Sequence, residues 1–178
     1  AYTVDLATAS SSPGWATEGG RVTTQITAGE SVFDMFAGVG PYAIPAADRG
    51  AEVVAVDINP AATALLIENA DRNQVDLTVH TADVRTLTDR YAGWADRVIM
   101  NLPHTAGEFL PDALETAAEG AILHYYDFQS RTDPFAPAVE TIRAALPADV
   151  TLDVLETQEV RSYSPELVNI CIDAQLQS

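Results

Sequence analysis

Two glycines and three aspartates in the first half of the chain have the residue types and positions needed to hold a nucleoside-like ligand. The stretch DMFAGVG starts at Asp34 after an apolar run, and Gly38 and Gly40 let backbone amides approach a ligand carboxylate closely. Asp57 ends the next apolar run, 17 residues after Gly40, a spacing typical of carboxylates that bind ribose hydroxyls. Asp83 ends a third run, where it is placed to accept a hydrogen bond from an exocyclic amine such as that of adenine.

Each of these signals also has a purely structural interpretation. The glycine pair is also typical of a tight strand-to-helix turn. Asp57 is also typical of the cap of a helix that starts at Pro60, and Asp83 of an ordinary residue on the protein surface. Dinucleotide enzymes use a related layout, but the run after Gly40 reads PYAIP and lacks the third glycine of the G-x-G-x-x-G motif. The pattern therefore favours S-adenosylmethionine over NAD.

A second group of residues, in the stretch VIMNLPH, has the chemistry to bind the edge of a planar ring. Asn101 follows an apolar run, and Pro103 stiffens the turn after it. Methyltransferases that act on planar amino or ring nitrogens place NPPY-type motifs at the end of this strand. We therefore expect Asn101 to offer its amide to a substrate and Pro103 to hold the turn, although a common strand end is the alternative.

The elements that must position these residues alternate between strands and helices. Apolar runs predict strands over 31–36, 51–58, 76–84, 95–103 and 121–128, with helices over about 41–49, 60–73, 106–118 and 133–146 between or after them. Residues 150–164 and 167–176 leave no room for a helix between them and predict an antiparallel hairpin. Residues 1–9 read as a strand and 10–20 as a loop. The expected fold is α/β, a doubly wound, mostly parallel seven-stranded sheet that binds its ligand at the carboxyl ends of the strands.

Composition and charge bear on the binding partners and on the cellular location of the protein. The net charge is -17, and all nine basic residues are arginines, which indicates a protein adapted to a salty cytoplasm where charge repulsion is screened. The alternative is an acidic mesophile protein that lacks lysine by chance. No stretch is long and apolar enough to span a membrane. Cys171 has no disulfide partner within the chain, and we expect it to be a buried small hydrophobe. His80 and His124 lie on predicted strands and are expected to pack rather than to act in catalysis, and no His/Cys cluster has the spacing of metal ligands.

Taken together, the motifs resemble one known family. TEGGRV, DMFAGVGPYAI, AVDINP, ADVR, RVIMNLPHTAGEFL, LHYY and VRSYSP occur in the order found in archaeal-type tRNA (guanine-37-N1) methyltransferases. The resemblance covers about residues 1–175. It implies a Rossmann-like class I methyltransferase that uses S-adenosylmethionine to methylate N1 of guanosine 37 in tRNA, with residues 1–28 as a linker strand and loop and 29–178 as the catalytic domain.

The same resemblance implies roles for individual residues. Glu18 matches the family's general base, and Asn101 the asparagine that positions the guanine. Arg21, Pro103 and His104 fall at the substrate side. The implied cofactor site comprises Asp34, Phe36, Ala37, Gly38, Gly40, Asp57, Ile58, Asn59, Asp83, Val84 and Asn101.

The chain also departs from the family's pattern. Members usually carry several arginines around the glutamate, whereas Gly14, Gly19 and Gly20 stand at three of those places and Arg21 remains. Such arginines would meet phosphate, so we expect tRNA binding by a monomer to be weak or dependent on salt. Two rival interpretations stay open: the related aminocarboxypropyl transferase of wybutosine synthesis, and a module that binds S-adenosylmethionine but has lost activity on tRNA.

Overall fold

The computed structural model describes residues 13–177, and the chain forms two compact units that divide after Leu87. The described residues contain seven strands, mostly in parallel pairs and ending in an antiparallel hairpin, as predicted. The strand expected over 1–9 lies outside the described residues, and the linker boundary after residue 28 stays a prediction. No helix in the described part of the chain has the length and apolar character required to cross a membrane.

In the first unit three strands pair in parallel, and the second strand along the chain lies between the third and the first. Asp34 pairs in register with Ala55, and Asp57 with Thr81, so the strands end at one edge. Polar residues that follow these strands are therefore brought to the same place. The elements are α1 (Pro13–Thr24), β1 (Ser31–Asp34), α2 (Ala43–Asp48), β2 (Glu52–Asp57), α3 (Pro60–Asn73) and β3 (Thr78–Thr81).

The helix α3 has clear start and stop signals. Asn59 caps it by accepting the Ala61 N–H at 3.0 Å, and Pro60 occupies the first turn, where a missing N–H costs nothing. Gln74 ends it in the left-handed conformation, with φ of 57°. Its buried face consists of Thr63, Leu66, Asn69 and Ala70.

The helix α1 corrects the prediction of a loop over 10–20, because residues 13–24 are helical. Glycines inside a helix cost up to about 1 kcal/mol each, which is why the sequence favoured a loop. Tertiary packing outweighs that cost: Val22 is fully buried, and a Cβ on Gly19 would lie only 3.1 Å from the carbonyl oxygen of Pro41. The glycine thus lets the helix backbone approach Pro41 closely.

The second unit contains β4 (Ala95–Met100), α4 (Leu110–Thr116), β5 (Ala117–Ser130), α5 (Ala136–Ala145), β6 (Thr151–Ser162) and β7 (Leu167–Gln177). Its strand order is β4-β5-β7-β6. β4 and β5 are parallel, while β7 pairs antiparallel with both β5 and β6, which confirms the predicted C-terminal hairpin. The fourth helix ends at Thr116 rather than at 118, and Gly120, with φ of 77°, lies within β5.

A buried polar network ties β4, β5 and β7 together. Arg97 Nη1 lies 2.8 Å from His124 Nε2, and His124 Nδ1 lies 2.7 Å from Asp173 Oδ1, which Cys171 Sγ also approaches at 3.3 Å. Because a guanidinium only donates, Nε2 accepts and Nδ1 carries the proton given to Asp173. His124 and Cys171 are packed as predicted. The possible metal-ligand atoms of His124, Cys171 and Asp173 lie within 4.8 Å of one another. The hydrogen bonds among these residues and the positive charge of Arg97 favour a structural role for the cluster over metal binding.

Candidate functional site

The glycine turn, residues 37–40, follows β1 and adopts a backbone that favours glycine. Gly38 and Gly40 have φ values of +54° and +92°. A Cβ on Gly40 would lie 2.3 Å from Leu66 Cδ1, whereas a Cβ on Gly38 would meet nothing within 4 Å. Gly40 therefore permits close packing on α3, and Gly38 leaves the turn open to an approaching ligand.

Asp57 fixes the glycine turn from the end of β2. Its Oδ2 accepts the Gly38 N–H at 2.8 Å, and its Oδ1 accepts the Asn59 N–H at 2.8 Å. The helix cap proposed as an alternative role for Asp57 belongs instead to Asn59. A carboxylate has about four acceptor positions, so two remain for hydroxyl groups such as those of a ribose.

Asp34 is a buried carboxyl group at the end of β1. It is 0% exposed, and neither oxygen has a hydrogen-bond partner of good geometry among the described residues, although the nearby Phe36 amide favours the charged form. Burial, followed by the negative charge of Asp57, raises the pKa of Asp34 to about 7. A cationic group bound nearby would lower that pKa again, so the site suits a ligand that carries positive charge.

Asp83 follows β3 and is paired within its own turn. The Arg85 N–H donates to Oδ1 at 3.1 Å, and the Arg85 guanidinium contacts both oxygens. These contacts lower the pKa of the Asp83 carboxyl. The carboxylate is thus an ionised acceptor, but an adenine amine would share it with Arg85, and the predicted adenine contact stays a prediction.

The other predicted cofactor residues divide into exposed and buried ones. Ile58 is 70% exposed beside Asp57, an unusual position for a large apolar side chain, and Asn59 is exposed next to it. Ala37 and Val84 are buried, and the Ala37 N–H donates to the Val56 carbonyl at 2.8 Å. Phe36 is half-buried. Ile58 therefore provides exposed apolar surface where β2 ends, whereas the buried residues Ala37 and Val84 help to fix the backbone at the ends of these strands.

Glu18 lies on α1 and is only 4% exposed, so it is not the solvated loop residue that its local sequence indicated. Arg21, one turn later, donates from Nη2 to Oε1 at 2.7 Å and from Nε to both oxygens at 3.0–3.1 Å. The structure thus brings these two predicted residues together as an ion pair. Gly19 places this part of α1 against Pro41, directly after the glycine turn.

The turn after β4 carries Asn101 in the second unit. The Oδ1 atom of Asn101 is buried and has no hydrogen-bond partner among the described residues. Pro103 ties the turn to β5, because its carbonyl accepts the Phe128 N–H at 3.2 Å, and the Ala106 N–H donates to Leu102 at 2.8 Å. A buried, unpaired carbonyl oxygen costs about 1–3 kcal/mol, which a ligand that donates a hydrogen bond would relieve.

An aromatic cluster of His104, Phe128 and Tyr163 stands beside this turn. The ring centroids of His104 and Phe128 are 4.4 Å apart, and those of Phe128 and Tyr163 are 4.6 Å apart. Tyr163 is 56% exposed. Only His104 was predicted; Phe128 and Tyr163 were missed, although their places at the end of LHYYDF and in VRSYSP were a usable signal.

Asp127 is an acidic residue at this site that sequence reasoning missed. Its Oδ2 accepts from Gln129 at 2.7 Å and from the Tyr125 hydroxyl at 3.4 Å, and its Oδ1 accepts the Phe128 N–H at 2.8 Å. Burial raises the pKa of Asp127, while these hydrogen bonds and nearby His104 oppose the shift. Asp127 therefore holds the base of the aromatic cluster through Phe128.

Known proteins match this chain over most of its length. Residues 1–154 match the family model described as TRM5/TYW2 methyltransferase domain. The chain is 42% identical over 172 residues to the tRNA (guanine(37)-N(1))-methyltransferase Trm5b of Pyrococcus abyssi, covering 96% of this chain and 51% of the relative. It is 28% identical over 179 residues to the tRNA(Phe) (4-demethylwyosine(37)-C(7)) aminocarboxypropyltransferase of Pyrococcus horikoshii, covering 98% of this chain and 64% of that relative.

Solved structures share the fold. A crystal structure of wild-type Trm5b from Pyrococcus abyssi matches with a TM-score of 0.87 at 40% identity, covering 98% of this chain and 52% of that one. TYW2 of M. jannaschii in complex with AdoMet matches with a TM-score of 0.90 at 27% identity, covering 99% and 81%. The predicted Rossmann-like class is confirmed, and the chain spans about half the length of the Trm5b relative.

We expect Asp34→Asn to stabilise the ligand-free protein above neutral pH. Because folding raises the Asp34 pKa, its contribution to stability is fully present below the unfolded value of 3.8 and is lost as the pH rises to about 7. The gain in the variant should therefore grow from near zero at pH 4 to as much as about 4 kcal/mol at pH 8, at about 1.4 kcal/mol per pKa unit. Urea unfolding of the unmodified protein and of the variant between pH 4 and pH 8 measures this difference in unfolding free energy. A gain independent of pH would contradict the raised pKa assigned to Asp34.

Proposed function

Because the chain belongs to the TRM5/TYW2 methyltransferase domain family, we propose that it transfers a methyl group from S-adenosylmethionine to N1 of guanosine 37 in tRNA. The Pyrococcus abyssi relative at 42% identity carries the name of that activity. Since this chain spans about half of that relative, its own substrate and turnover are part of the proposal.

The first unit has the groups needed to hold S-adenosylmethionine. Asp57 retains acceptor positions for ribose hydroxyls, and exposed Ile58 beside it offers an apolar surface to a flat base. Gly38 leaves the backbone open to the methionyl end. The buried, unpaired carboxyl group of Asp34 fits a ligand with positive charges, since such charges favour its ionised form.

The observation that carries the assignment of methyl transfer to guanine is the buried, unpaired Oδ1 of Asn101. The Watson–Crick edge of guanine presents N–H donors at N1 and N2, and an amide oxygen accepts such donors. Binding this edge would satisfy the Asn101 oxygen and would fix the orientation of the ring. Pro103 maintains the geometry through its hydrogen bond with Phe128.

The aromatic cluster supports binding of an unstacked base. Proteins that recognise single-stranded RNA stack bases on aromatic side chains, at about 1–3 kcal/mol for each base. Tyr163 exposes more than half of its surface, and Phe128 holds it at a fixed distance. His104 extends the cluster, so we include all three residues in the substrate site.

Proton removal from guanine N1 is assigned to Glu18, following the family's general base. S-adenosylmethionine supplies a methyl group on a sulfonium, from which a neutral thioether departs readily, so the protein contributes alignment and one proton acceptor. To accept the proton, Glu18 would exchange part of its contact with Arg21 for the substrate. Arg21 keeps the carboxylate in one orientation until then.

The surroundings of Glu18 also bear on the RNA partner. Gly19 and Gly20 replace positive charges expected there, and Arg21 is engaged with Glu18. With a net charge of -17, the chain would repel RNA in dilute buffer, but about 1 M salt shortens the screening length to about 3 Å. We therefore propose a monomer of the cytoplasm of a salt-adapted cell, with weak, salt-dependent tRNA binding.

A second candidate is aminocarboxypropyl transfer from the same cofactor, as named for the Pyrococcus horikoshii relative at 28% identity. This reaction transfers the aminocarboxypropyl group of the cofactor instead of its methyl group, and it therefore produces a different modified nucleoside. Mass analysis of the digested tRNA product distinguishes it from methyl transfer. If the protein binds S-adenosylmethionine and leaves tRNA unchanged, the remaining interpretation is a module with binding alone.

We expect Asp57→Ala to weaken S-adenosylmethionine binding by about tenfold or more, because the variant loses ribose acceptors and frees the Gly38 amide. Calorimetric titration in about 2–3 M KCl measures the change. Asp76→Ala, which removes an equal charge from an exposed position of the same unit, should bind like the unmodified chain. No binding by the folded, unmodified chain would overturn the proposed cofactor.

We expect Asn101→Ala to lower kcat/KM for methylation of a tRNA transcript with G37 by about a hundredfold, since the guanine edge loses its acceptor. Thr105→Ala changes an exposed side chain of the same turn and serves as the control. Transfer of radioactive methyl groups at high KCl gives the rates. Equal rates for Asn101→Ala and the control would remove Asn101 from the substrate site.

We expect the free energy of unfolding to rise between about 0.1 and 2 M KCl, because screening reduces repulsion among 26 acidic residues. Sucrose, which is uncharged, should not reproduce the full increase at equal osmolality. Urea unfolding at each concentration tests this. Stability that does not depend on KCl would exclude salt adaptation.

A further inference from the structure

Asn69 is a buried polar residue that the proposed reaction does not use. It lies on α3, is 0% exposed, and donates from Nδ2 to the carbonyl oxygen of Val39 at 3.1 Å. The two residues are 30 positions apart in the chain. Because the Val39 carbonyl can only accept, the amide orientation is determined, with Nδ2 facing the glycine turn.

The glycine turn is thereby held at three successive points. Asp57 accepts the Gly38 N–H, Asn69 donates to the Val39 carbonyl, and Leu66 packs against Gly40. Leu66 and Asn69 are one turn apart on α3 and belong to the same buried face. Helix α3 therefore fixes the peptide that joins Val39 to Gly40, while Asp57 fixes the peptide before Gly38.

The peptide between these two points carries an unused donor. The Val39 N–H has no hydrogen-bond partner among residues 13–177, whereas the Gly38 and Gly40 N–H groups donate to Asp57 and to the Ala37 carbonyl. No Cβ shields it on the Gly38 side, where the space is open within 4 Å. A backbone donor fixed on both sides and left unpaired is suited to bind a ligand carboxylate.

We propose that Asn69 is a positioning residue, which aims the Val39 N–H at the carboxylate of the methionyl part of S-adenosylmethionine. This inference rests on the proposed function, since it presumes that cofactor. Asn69 acts through the Val39 carbonyl and contacts no reacting atom. It therefore affects binding of the methionyl part and leaves binding of the nucleoside part to Asp57 and Ile58.

The test compares two ligands, S-adenosylmethionine and adenosine, by calorimetric titration in about 2–3 M KCl. In Asn69→Ala, the affinity for S-adenosylmethionine should fall by about tenfold, the effect of one aligned hydrogen bond. The affinity for adenosine should change by less than about twofold, because adenosine lacks the carboxylate. Asn73→Ala is the matched control, since it removes an amide of the same type from the same helix, where Asn73 donates to the Asn69 backbone carbonyl at 2.7 Å.

Equal losses for both ligands would assign Asn69 a merely structural role and would overturn the proposal, as would unchanged affinity for S-adenosylmethionine. If the unmodified chain binds adenosine but not S-adenosylmethionine, the proposed cofactor itself is wrong. Should Asn69→Ala not fold, NMR of the unmodified chain decides: the Val39 amide resonance should shift with S-adenosylmethionine and stay in place with adenosine. A Val39 resonance unaffected by S-adenosylmethionine would overturn the proposal without any variant.

Discussion

The hydrogen bond from the Gly38 N–H to the Asp57 carboxylate is the constraint on which the first unit's site depends. It joins the end of β2 to the turn that follows β1, across 19 positions of sequence. The same carboxylate accepts the Asn59 N–H and so places the cap of α3. Hydrogen bonds to a charged acceptor are about twice as strong as neutral ones, so one side chain holds the turn, the helix start and the strand in a fixed relation.

That arrangement places a second carboxyl group in an unfavourable position. Asp34 is fully buried near Asp57, and its pKa of about 7 reflects the energy that ionisation would cost there. Groups with strongly shifted pKa values are common at functional sites, where a ligand supplies the missing interaction. Within residues 13–177, Asp34 and the Val39 N–H are thus two polar groups without a hydrogen-bond partner of good geometry, one suited to positive and one to negative charge.

In the second unit the constraint is different. Arg97, His124 and Asp173 connect three adjacent strands through hydrogen bonds of 2.7–2.8 Å, and a slip of register would leave charged groups buried without partners. The ends of β4 and β5 are therefore fixed with respect to each other. This allows the Pro103 carbonyl to meet the Phe128 N–H, which holds the Asn101 turn beside the aromatic cluster.

Local patterns in the sequence were sufficient for the strands, most helices and the motifs. Alternation of apolar runs with helical segments indicated the mixed sheet, and seven motifs in their order carried the resemblance to the family. These features depend on neighbours within a few residues, which sequence patterns reflect directly. For the same reason, the helix α1 was missed: its glycines are unfavourable locally, and the packing of Gly19 against Pro41 is a tertiary contact that no local pattern reflects.

Only the tertiary structure determined which of these residues lie close enough to interact. Asn69 and Val39 are 30 residues apart, His124 and Asp173 are 49 apart, and no short-range pattern connects either pair. The burial of Asp34 and the tilted contact between Phe128 and Tyr163 likewise depend on what the folded chain brings near. The pairing of Glu18 with Arg21 depends on the helix α1, which tertiary packing stabilises. The sequence by itself determined the types of groups available for the chemistry; their pKa values, partners and unpaired atoms follow from distance and desolvation, which exist only in the folded protein.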